Sequence, residues 1–325
     1  MSHLQLRLEL LALGVSAFTL TTPTYPQSFP THPLRIIVPT SPGAHSDITA
    51  RSVAQALTKR LGQPIVVENR AGGGTMIGSD IVAKAAPDGH TLLMGGPSLA
   101  INPSIYKTIP YDSLRDFAPI TLAIKQSQIL VVHPSLPVGS VTELIAFAKK
   151  NPKEIAFASP GKGSGPHLAM EMFLVMSGTR MLHVPYKGPA QAIVDLTAGR
   201  VFVMMPSFTV GSLHVRMERL RALAVSGIKR NSAMPGLPTI SETGLPGYES
   251  TQWSGLLAPA ATPKQFIARL HKEVAAVLLM PDFQESANKL DSEVIASSPE
   301  EFSAHIRNEM KKWTQVAMSA GLKPQ

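Results

Sequence analysis

The sequence predicts an α/β protein of two lobes. Three observations predict it: apolar strands alternate with helices after Pro33, one strand–loop–helix unit occurs twice, and 325 residues exceed what a typical single core holds. The first unit covers Arg35–Gly62 and the second covers Ile155–Gly178. In both units, a loop rich in Gly, Pro and Ser separates the strand from the helix.

The individual elements follow from short apolar runs and from helix-start signals. Helices are predicted over Ile48–Leu61 and Ile77–Ala86, and three further helix starts fit the capping-box spacing, at Ser140, Thr262 and Ser298. The strand candidates are bounded by turn-forming residues. They are Leu34–Pro39, Pro64–Glu68, Thr91–Gly95, Ile129–His133, Ile155–Ser159, Met181–Pro185, Val201–Met205, Leu220–Ser226 and Gly255–Pro259.

Two strand candidates are interpreted as crossings between the lobes. Gln128–His133 leaves the first α/β unit, and Leu220–Ser226 leaves the second before a Pro/Gly-rich return over Pro235–Gly247. The first lobe is therefore predicted to be discontinuous, over 30–128 plus 228–325, and the second to cover 129–227. Two connections allow the lobes to close over a cleft by hinge motion.

The N-terminus has the pattern of an export signal, predicted over residues 1–25. Arg7 supplies a basic residue and Leu10–Leu20 supplies an apolar run that is too short to span a bilayer, although Glu9 interrupts the apolar stretch. Cleavage is expected between Ala17 and Gln27. No later segment has the apolar length of a membrane span, so a soluble, exported protein is expected.

Composition narrows the function classes. The formal net charge is +8, but basic residues are dispersed without interleaved aromatic residues, so nucleic-acid binding is not expected. The chain has no cysteine, which excludes disulfides, thiol nucleophiles and cysteine-ligated metal. Its histidines lack the spacing of common zinc motifs, and no G-x-S-x-G element is present. The sequence therefore predicts no catalytic residue, no metal and no cofactor.

The two repeated loops indicate an anion-binding protein. A helix start offers unpaired backbone N–H groups and about half a positive charge, and small residues before it let a ligand approach the backbone. Two such starts far apart in the chain are suited to grip one anion from opposite sides. This arrangement favours a binder of small carboxylates over a catalyst.

Ordered motifs along the chain resemble one known family. The run Pro33–Asp47 (PLRIIVPTSPGAHSD) resembles the first segment of the tripartite tricarboxylate transporter substrate-binding proteins, also called the Bug receptors. The resemblance extends almost to the C-terminus. Further matching segments are Gly62–Arg70, Ala83–Gly89, Ile101–Pro103, Pro110–Asp112, Asp116–Pro119, His183–Gly188, Arg221–Val225, Gly244–Tyr248 and Trp253–Pro259.

This resemblance implies a periplasmic, type II-like Venus flytrap of two α/β lobes. Members of the family capture small carboxylates and deliver them to a membrane transporter of one large and one small subunit, without a metal or organic cofactor. A monomer is expected. The alternative is a solute-binding sensory or regulatory input protein that is not coupled to transport.

The resemblance also implies that the loops Thr40–Asp47 and Pro160–His167 form the two sides of the pocket. Some roles stay open: Asp47 either caps a helix or faces the ligand, His167 makes either a local backbone contact or a ligand contact, and His45 either donates to a carboxylate or is a solvated loop residue. The candidate ligand-binding residues are Ser41, Gly43, Ala44, His45, Ser46, Asp47, Ser98, Gly163, Ser164, Gly165, His167, Tyr186 and Ser207.

Two departures from the family pattern concern specificity. The first loop reads Gly43-Ala44-His45-Ser46 where the family usually has a run of glycines, so a narrower or differently polar pocket is expected. The strand before Ser207 lacks the acidic residue that relatives often carry there. We therefore expect a ligand without a free ammonium group.

Overall fold

The computed structural model describes residues 29–152 and 154–322. The predicted export signal lies outside these residues. The described part of the chain alternates strands with helices, as predicted. The strands are β1 (Leu34–Val38), β2 (Ile65–Asn69), β3 (Thr91–Gly95), β4 (Phe117–Ser127), β5 (Ile129–Val132), β6 (Ala156–Ser159), β7 (Leu182–Pro185), β8 (Val203–Met204), β9 (Arg221–Val225), β10 (Thr251–Pro259) and β11 (Ser292–Val294).

Helices connect most of these strands, and no helix within the described ranges is long and apolar enough to cross a membrane. A single 3₁₀ turn, Gly73–Thr75, precedes the second helix. The helices are α1 (His45–Leu61), α2 (Met76–Ala83), α3 (Pro97–Ile105), α4 (Val141–Lys150), α5 (Gly165–Ser177), α6 (Pro189–Thr197), α7 (Phe208–Arg216), α8 (Lys264–Leu278), α9 (Pro281–Lys289) and α10 (Pro299–Ser319).

The strands form two sheets that repeat one strand order. The first sheet has the order β11-β4-β10-β3-β1-β2, and the second has the order β7-β6-β8-β5-β9. In the first, β10 is antiparallel to both β3 and β4, while β1 is parallel to β2 and β3. In the second, β5 is antiparallel to β8 and β9, while β6 is parallel to β7 and β8. The strands β10 and β5 are the ones that arrive from the other lobe, while the short β11 pairs antiparallel with β4 at the edge of the first sheet.

The two crossings of the chain lie side by side and are joined by hydrogen bonds. The Gln128 backbone N–H donates to Ser226 Oγ (2.8 Å), and Ser226 Oγ–H donates to the Ser250 carbonyl (2.5 Å). The Gln128 side chain accepts from Ser250 Oγ (3.1 Å) and donates to the Met205 carbonyl (2.8 Å). All three crossing residues are buried. This cluster joins the two crossing segments.

The Pro/Gly-rich return segment packs on the second lobe before the chain crosses. Val225 pairs in parallel with Thr239, which lies at the edge of the second sheet. Tyr248 Oη donates to the Ala169 carbonyl of α5 (2.8 Å). These contacts favour a boundary of the second lobe later than the predicted residue 228.

The longest strand, β4, was not predicted. Pro119 interrupts its apolar run, and Lys125, Gln126 and Ser127 give its end a polar character. A proline normally argues against a central strand because it cannot donate to the ladder. Here Pro119 lies beside a register irregularity of the β4–β10 pair, where the missing donor is tolerated. The strand β11 was also missed, and β10 begins before the predicted Gly255.

Two of the three predicted helix caps are confirmed. Ser140 accepts from the Glu143 backbone N–H, and Ser298 forms a complete capping box with Glu301. The prediction at Thr262 is wrong, because Pro263 is the N-cap residue and the Thr262 hydroxyl is buried without a hydrogen-bond partner. The spacing alone did not distinguish these cases.

Gly255 lies in β10 where a helix packs tightly on the first sheet. A Cβ atom at this position would overlap the Phe302 ring of α10 and approach the Thr121 carbonyl oxygen to 2.9 Å. The neighbouring backbone oxygen belongs to the paired strand β4, so it has little freedom to move. The close packing of this layer therefore requires glycine.

We expect Gly255→Ala to lower the free energy of unfolding by about 1–3 kcal/mol, because the added methyl group overpacks the interface. Urea denaturation followed by circular dichroism measures this change. Gly236→Ala is the matched control, since no heavy atom lies within 4 Å of a Cβ at that position. Equal stability of the two variants would show that the β10–α10 contact relaxes freely.

Candidate functional site

Six helix N-termini meet at a cavity of about 670 Å³ between the lobes. The carboxyl ends of parallel strands lie at one edge of a sheet, and the helices that follow them start at the same edge. Both sheets turn this edge toward the cavity. The N-cap residues of α1, α2, α3, α5, α6 and α7 all line it: Ala44, Thr75, Gly96, Ser164, Gly188 and Ser207.

The structure brings most of the predicted site residues together in this cavity. Nine of the thirteen candidates belong to its wall, from both lobes. The other four, Asp47, Gly163, His167 and Tyr186, are not part of the wall. The nine lining residues are Ser41, Gly43, Ala44, His45, Ser46, Ser98, Ser164, Gly165 and Ser207.

The Asp47 carboxylate holds the first loop in place by a hydrogen bond to its backbone. The helix begins at His45 rather than at the predicted Ile48, so Asp47 lies in its first turn and is not the N-cap residue. Its carboxylate accepts from the Gly43 backbone N–H (2.9 Å) and from the side chains of Arg51 and Asn69. Burial acts to raise the pKa of Asp47, but these hydrogen bonds outweigh it and lower the pKa below its usual value.

His45 contributes a neutral ring to the wall. Its Nδ1 lies 3.1 Å from Ser254 Oγ, and its Nε2 is buried without a hydrogen-bond partner. Burial lowers the pKa of His45 to about 4, so the imidazole is uncharged at neutral pH. It therefore offers a hydrogen-bonding atom near the start of α1 without adding a charge.

His167 supports the second loop as Asp47 supports the first. It is 1% exposed, and its Nδ1 accepts from the Gly163 backbone N–H (3.2 Å). Its ring stacks on His183 at 4.0 Å. Burial, together with the nearby His167 and Lys162, lowers the pKa of His183 to about 3. The local contact that was one of two predicted roles for His167 is thus present.

Tyr186 is also held by neighbours outside the cavity wall. Its hydroxyl donates to Asp195 Oδ2 (2.9 Å), and Asp195 accepts from Arg200 as well (2.7 Å). The hydroxyl therefore has a partner within its own lobe. The next residue along the chain, Lys187, does line the cavity.

The sequence interpretation missed several lining residues. Lys162 and Lys187 come from the second lobe, while Gln252 and Ser254 come from β10. The Gln252 amide lies so close to Gly165 that any Cβ there would overlap it, and its Nε2 is buried without a partner. Each lysine lies in a Gly-containing loop directly after a predicted strand, and this pattern could have indicated both lysines as site residues. Gln252 and Ser254 preceded the predicted start of their strand.

The wall combines positive electrostatics with apolar surface. Among residues 29–152 and 154–322, no Asp or Glu side chain lines it. Met94, Leu99, Tyr106, Met204 and Val210 supply its apolar part. Such a cavity can accept a carboxylate at the helix starts and an uncharged hydrocarbon chain beside it.

A second polar cluster lies outside this cavity. His32, Asp88 and His90 bring possible metal-ligand atoms within 4.8 Å of one another, which sequence spacing did not predict. Both ring nitrogens of His90 already have partners, since Nε2 accepts from the Thr31 N–H (3.2 Å) and Nδ1 lies 3.1 Å from the Asp88 carbonyl. We therefore do not assign a metal to this cluster.

Known proteins match this chain over nearly its whole length. The family profile described as "Tripartite tricarboxylate transporter family receptor" matches residues 49–322. The UPF0065 protein in the tcbD-tcbE intergenic region of Pseudomonas sp. strain P51 is 36% identical over 307 residues, which is 93% of this chain and 91% of that protein.

Solved structures agree with this relationship. Rpa4515 of R. palustris, solved with adipate, has a TM-score of 0.86 and 34% identity, and the match covers 91% of this chain and 100% of that one. The periplasmic binding protein BugD has a TM-score of 0.83 and 33% identity, with the same coverage. The two-lobed periplasmic binding-protein fold expected from the motifs is confirmed. The protein thus belongs to the tripartite tricarboxylate transporter receptor family, to which its sequence motifs pointed.

Proposed function

We propose that the protein captures a small organic carboxylate in the cavity between its lobes and presents it to a membrane transporter of the tripartite tricarboxylate type. The observation that carries the proposal is the convergence of six helix N-termini on a wall without acidic side chains. Each helix start favours negative charge. The adipate bound by Rpa4515 is a ligand of the same chemical class.

The ligand is held without chemical change. Backbone N–H groups of the α1 start bind one carboxylate, with the remaining helix starts adding to the positive potential. The loop between Gly43 and Asp47 is held rigidly by the Asp47 carboxylate, which reduces the entropy lost on binding. We infer binding without turnover, by a monomer, in the periplasm.

Delivery to a transporter requires that the cavity opens and closes. Within the described residues the chain crosses between the lobes near Gln128 and Ser250, so these two adjacent segments are the hinge about which a closing rotation takes place. A closed, loaded form then offers a surface that differs from the open, empty form. A membrane partner can recognise this difference.

The ligand class excludes amino acids. Ser207 is the N-cap residue of α7 and lies in the cavity wall, at the position where the family pattern predicts an acid. An ammonium group enclosed here would lack a counter-charge, and its desolvation would cost several kcal/mol. A plain carboxylate meets only donors and apolar surface.

Calorimetry with the purified mature protein tests the proposal directly. We expect at least one member of a panel of mono-, di- and tricarboxylates to bind one to one. At about one hundred times its Kd, that ligand stabilises the fold by roughly 2.7 kcal/mol, which a thermal melt detects. Consumption of the ligand during prolonged incubation would contradict binding without turnover.

Small-angle X-ray scattering tests the closure. We expect a smaller radius of gyration with saturating ligand than without it, because the lobes rotate about the Gln128–Ser250 hinge. The same ligand added to a variant that no longer binds it provides the control. An unchanged radius at saturation would indicate a rigid cavity.

Substitution of Ser207 tests the exclusion of amino acids. The unchanged protein is expected to bind plain dicarboxylates in preference to aspartate or glutamate. Ser207→Asp should shift this preference toward amino acids by about 1–3 kcal/mol, because the new carboxylate pairs with the ammonium group. Ser207→Asn is the neutral control of similar size. Tight binding of glutamate by the unchanged protein would overturn the prediction.

A further inference from the structure

We propose that Lys162 and Lys187 form a second anion subsite in the second-lobe wall of the cavity, so that the ligand is a dicarboxylate whose far carboxylate lies between these two ammonium groups. This inference rests on the proposed function, because it concerns a second group on the same ligand. Both lysines line the cavity, and they come from different loops.

The fold brings the two loops together. β6 and β7 are parallel neighbours, with Ser159 opposite Pro185 at their carboxyl ends. The Tyr186 N–H donates to the Ser159 carbonyl (2.9 Å), so the loops that follow the two strands begin side by side. Lys162 precedes the start of α5, and Lys187 precedes the start of α6. The two charges therefore share one stretch of wall.

Neither lysine forms an ion pair with a carboxylate among residues 29–152 and 154–322, and two acids on the helices that follow these loops, Glu171 of α5 and Asp195 of α6, are engaged elsewhere. Glu171 faces His167 Nε2 (3.4 Å). Asp195 accepts from Tyr186 and from Arg200. Two charges without counter-ions on a cavity wall create a positive potential that attracts a second negative group.

The Lys162 charge also acts on a neighbouring side chain. The Lys162 charge contributes to the lowered pKa of His183, after burial and the adjacent His167. His183 is therefore neutral at physiological pH and does not compete for the anion. His45, on the opposite wall, is neutral as well.

The rest of the wall fits the middle of such a ligand. Met94, Leu99 and Tyr106 line the cavity on the first-lobe side. An aliphatic chain packs against these side chains while one carboxylate meets the α1 start and the other meets the lysines. The distance between the two carboxylates of the ligand then matches the distance between the α1 start and the lysines. This match is the basis of selectivity for a ligand with two charges.

The test compares adipate with hexanoate, which has the same chain length and one carboxylate fewer. Calorimetry is expected to give adipate binding about tenfold tighter or more, because hydrogen bonds to charged groups are stronger than neutral ones. In the double variant Lys162→Met/Lys187→Met, adipate affinity should fall to that of hexanoate, while hexanoate affinity stays nearly constant.

Two controls isolate the effect. Lys149→Met removes one positive charge from the exposed end of α4, away from the cavity, and should leave both affinities unchanged. Thermal melts without ligand check that the double variant folds. Its substituted side chains lie on loops and are not in the buried core.

The outcomes separate this inference from the proposed function. Equal binding of adipate and hexanoate by the unchanged protein, or an adipate preference that survives in the double variant, would overturn the lysine subsite while keeping carboxylate binding. If neither adipate, nor hexanoate, nor any other carboxylate of the panel binds, the proposed function and the lysine subsite are both overturned.

Discussion

The parallel arrangement of strands in each sheet is the constraint on which the rest of the structure depends. Parallel strands need helical crossovers, and every crossover that leaves a strand at its carboxyl end starts a helix at the same edge. Because both sheets turn that edge toward the cleft, six helix N-termini share one cavity. The candidate site therefore lies where the backbone N–H groups of six helix starts share one cavity.

The paired crossings are the second consequence of this topology. Each sheet receives one antiparallel strand from the other lobe, and the two crossings lie next to each other. Gln128, Ser226 and Ser250 are buried polar residues whose hydrogen bonds satisfy one another. A buried network of this kind is stable only when it is complete. It keeps the two crossings in register.

His45, His167 and His183 act as structural supports near the cavity. His167 accepts from the Gly163 backbone N–H, His183 stacks on His167, and His45 packs against Ser254. The pKa values of His45 and His183 are lowered mainly by burial, to about 4 and about 3, so these two rings are uncharged at neutral pH. The positive potential of the wall therefore comes from helix starts and lysines.

The sequence by itself determined the α/β class, the two repeated anion-binding loops and the family, because these depend on local patterns such as Gly-rich turns between an apolar strand and a helix. Tertiary structure decided what depends on distant contacts. Asp47 matches a helix cap locally, yet its role follows from Gly43 and Asn69. β4 contains a proline that only its pairing with β10 explains. Lys162 and Lys187 share a wall only because β6 and β7 are neighbours, and strand adjacency is a long-range choice that no local pattern encodes.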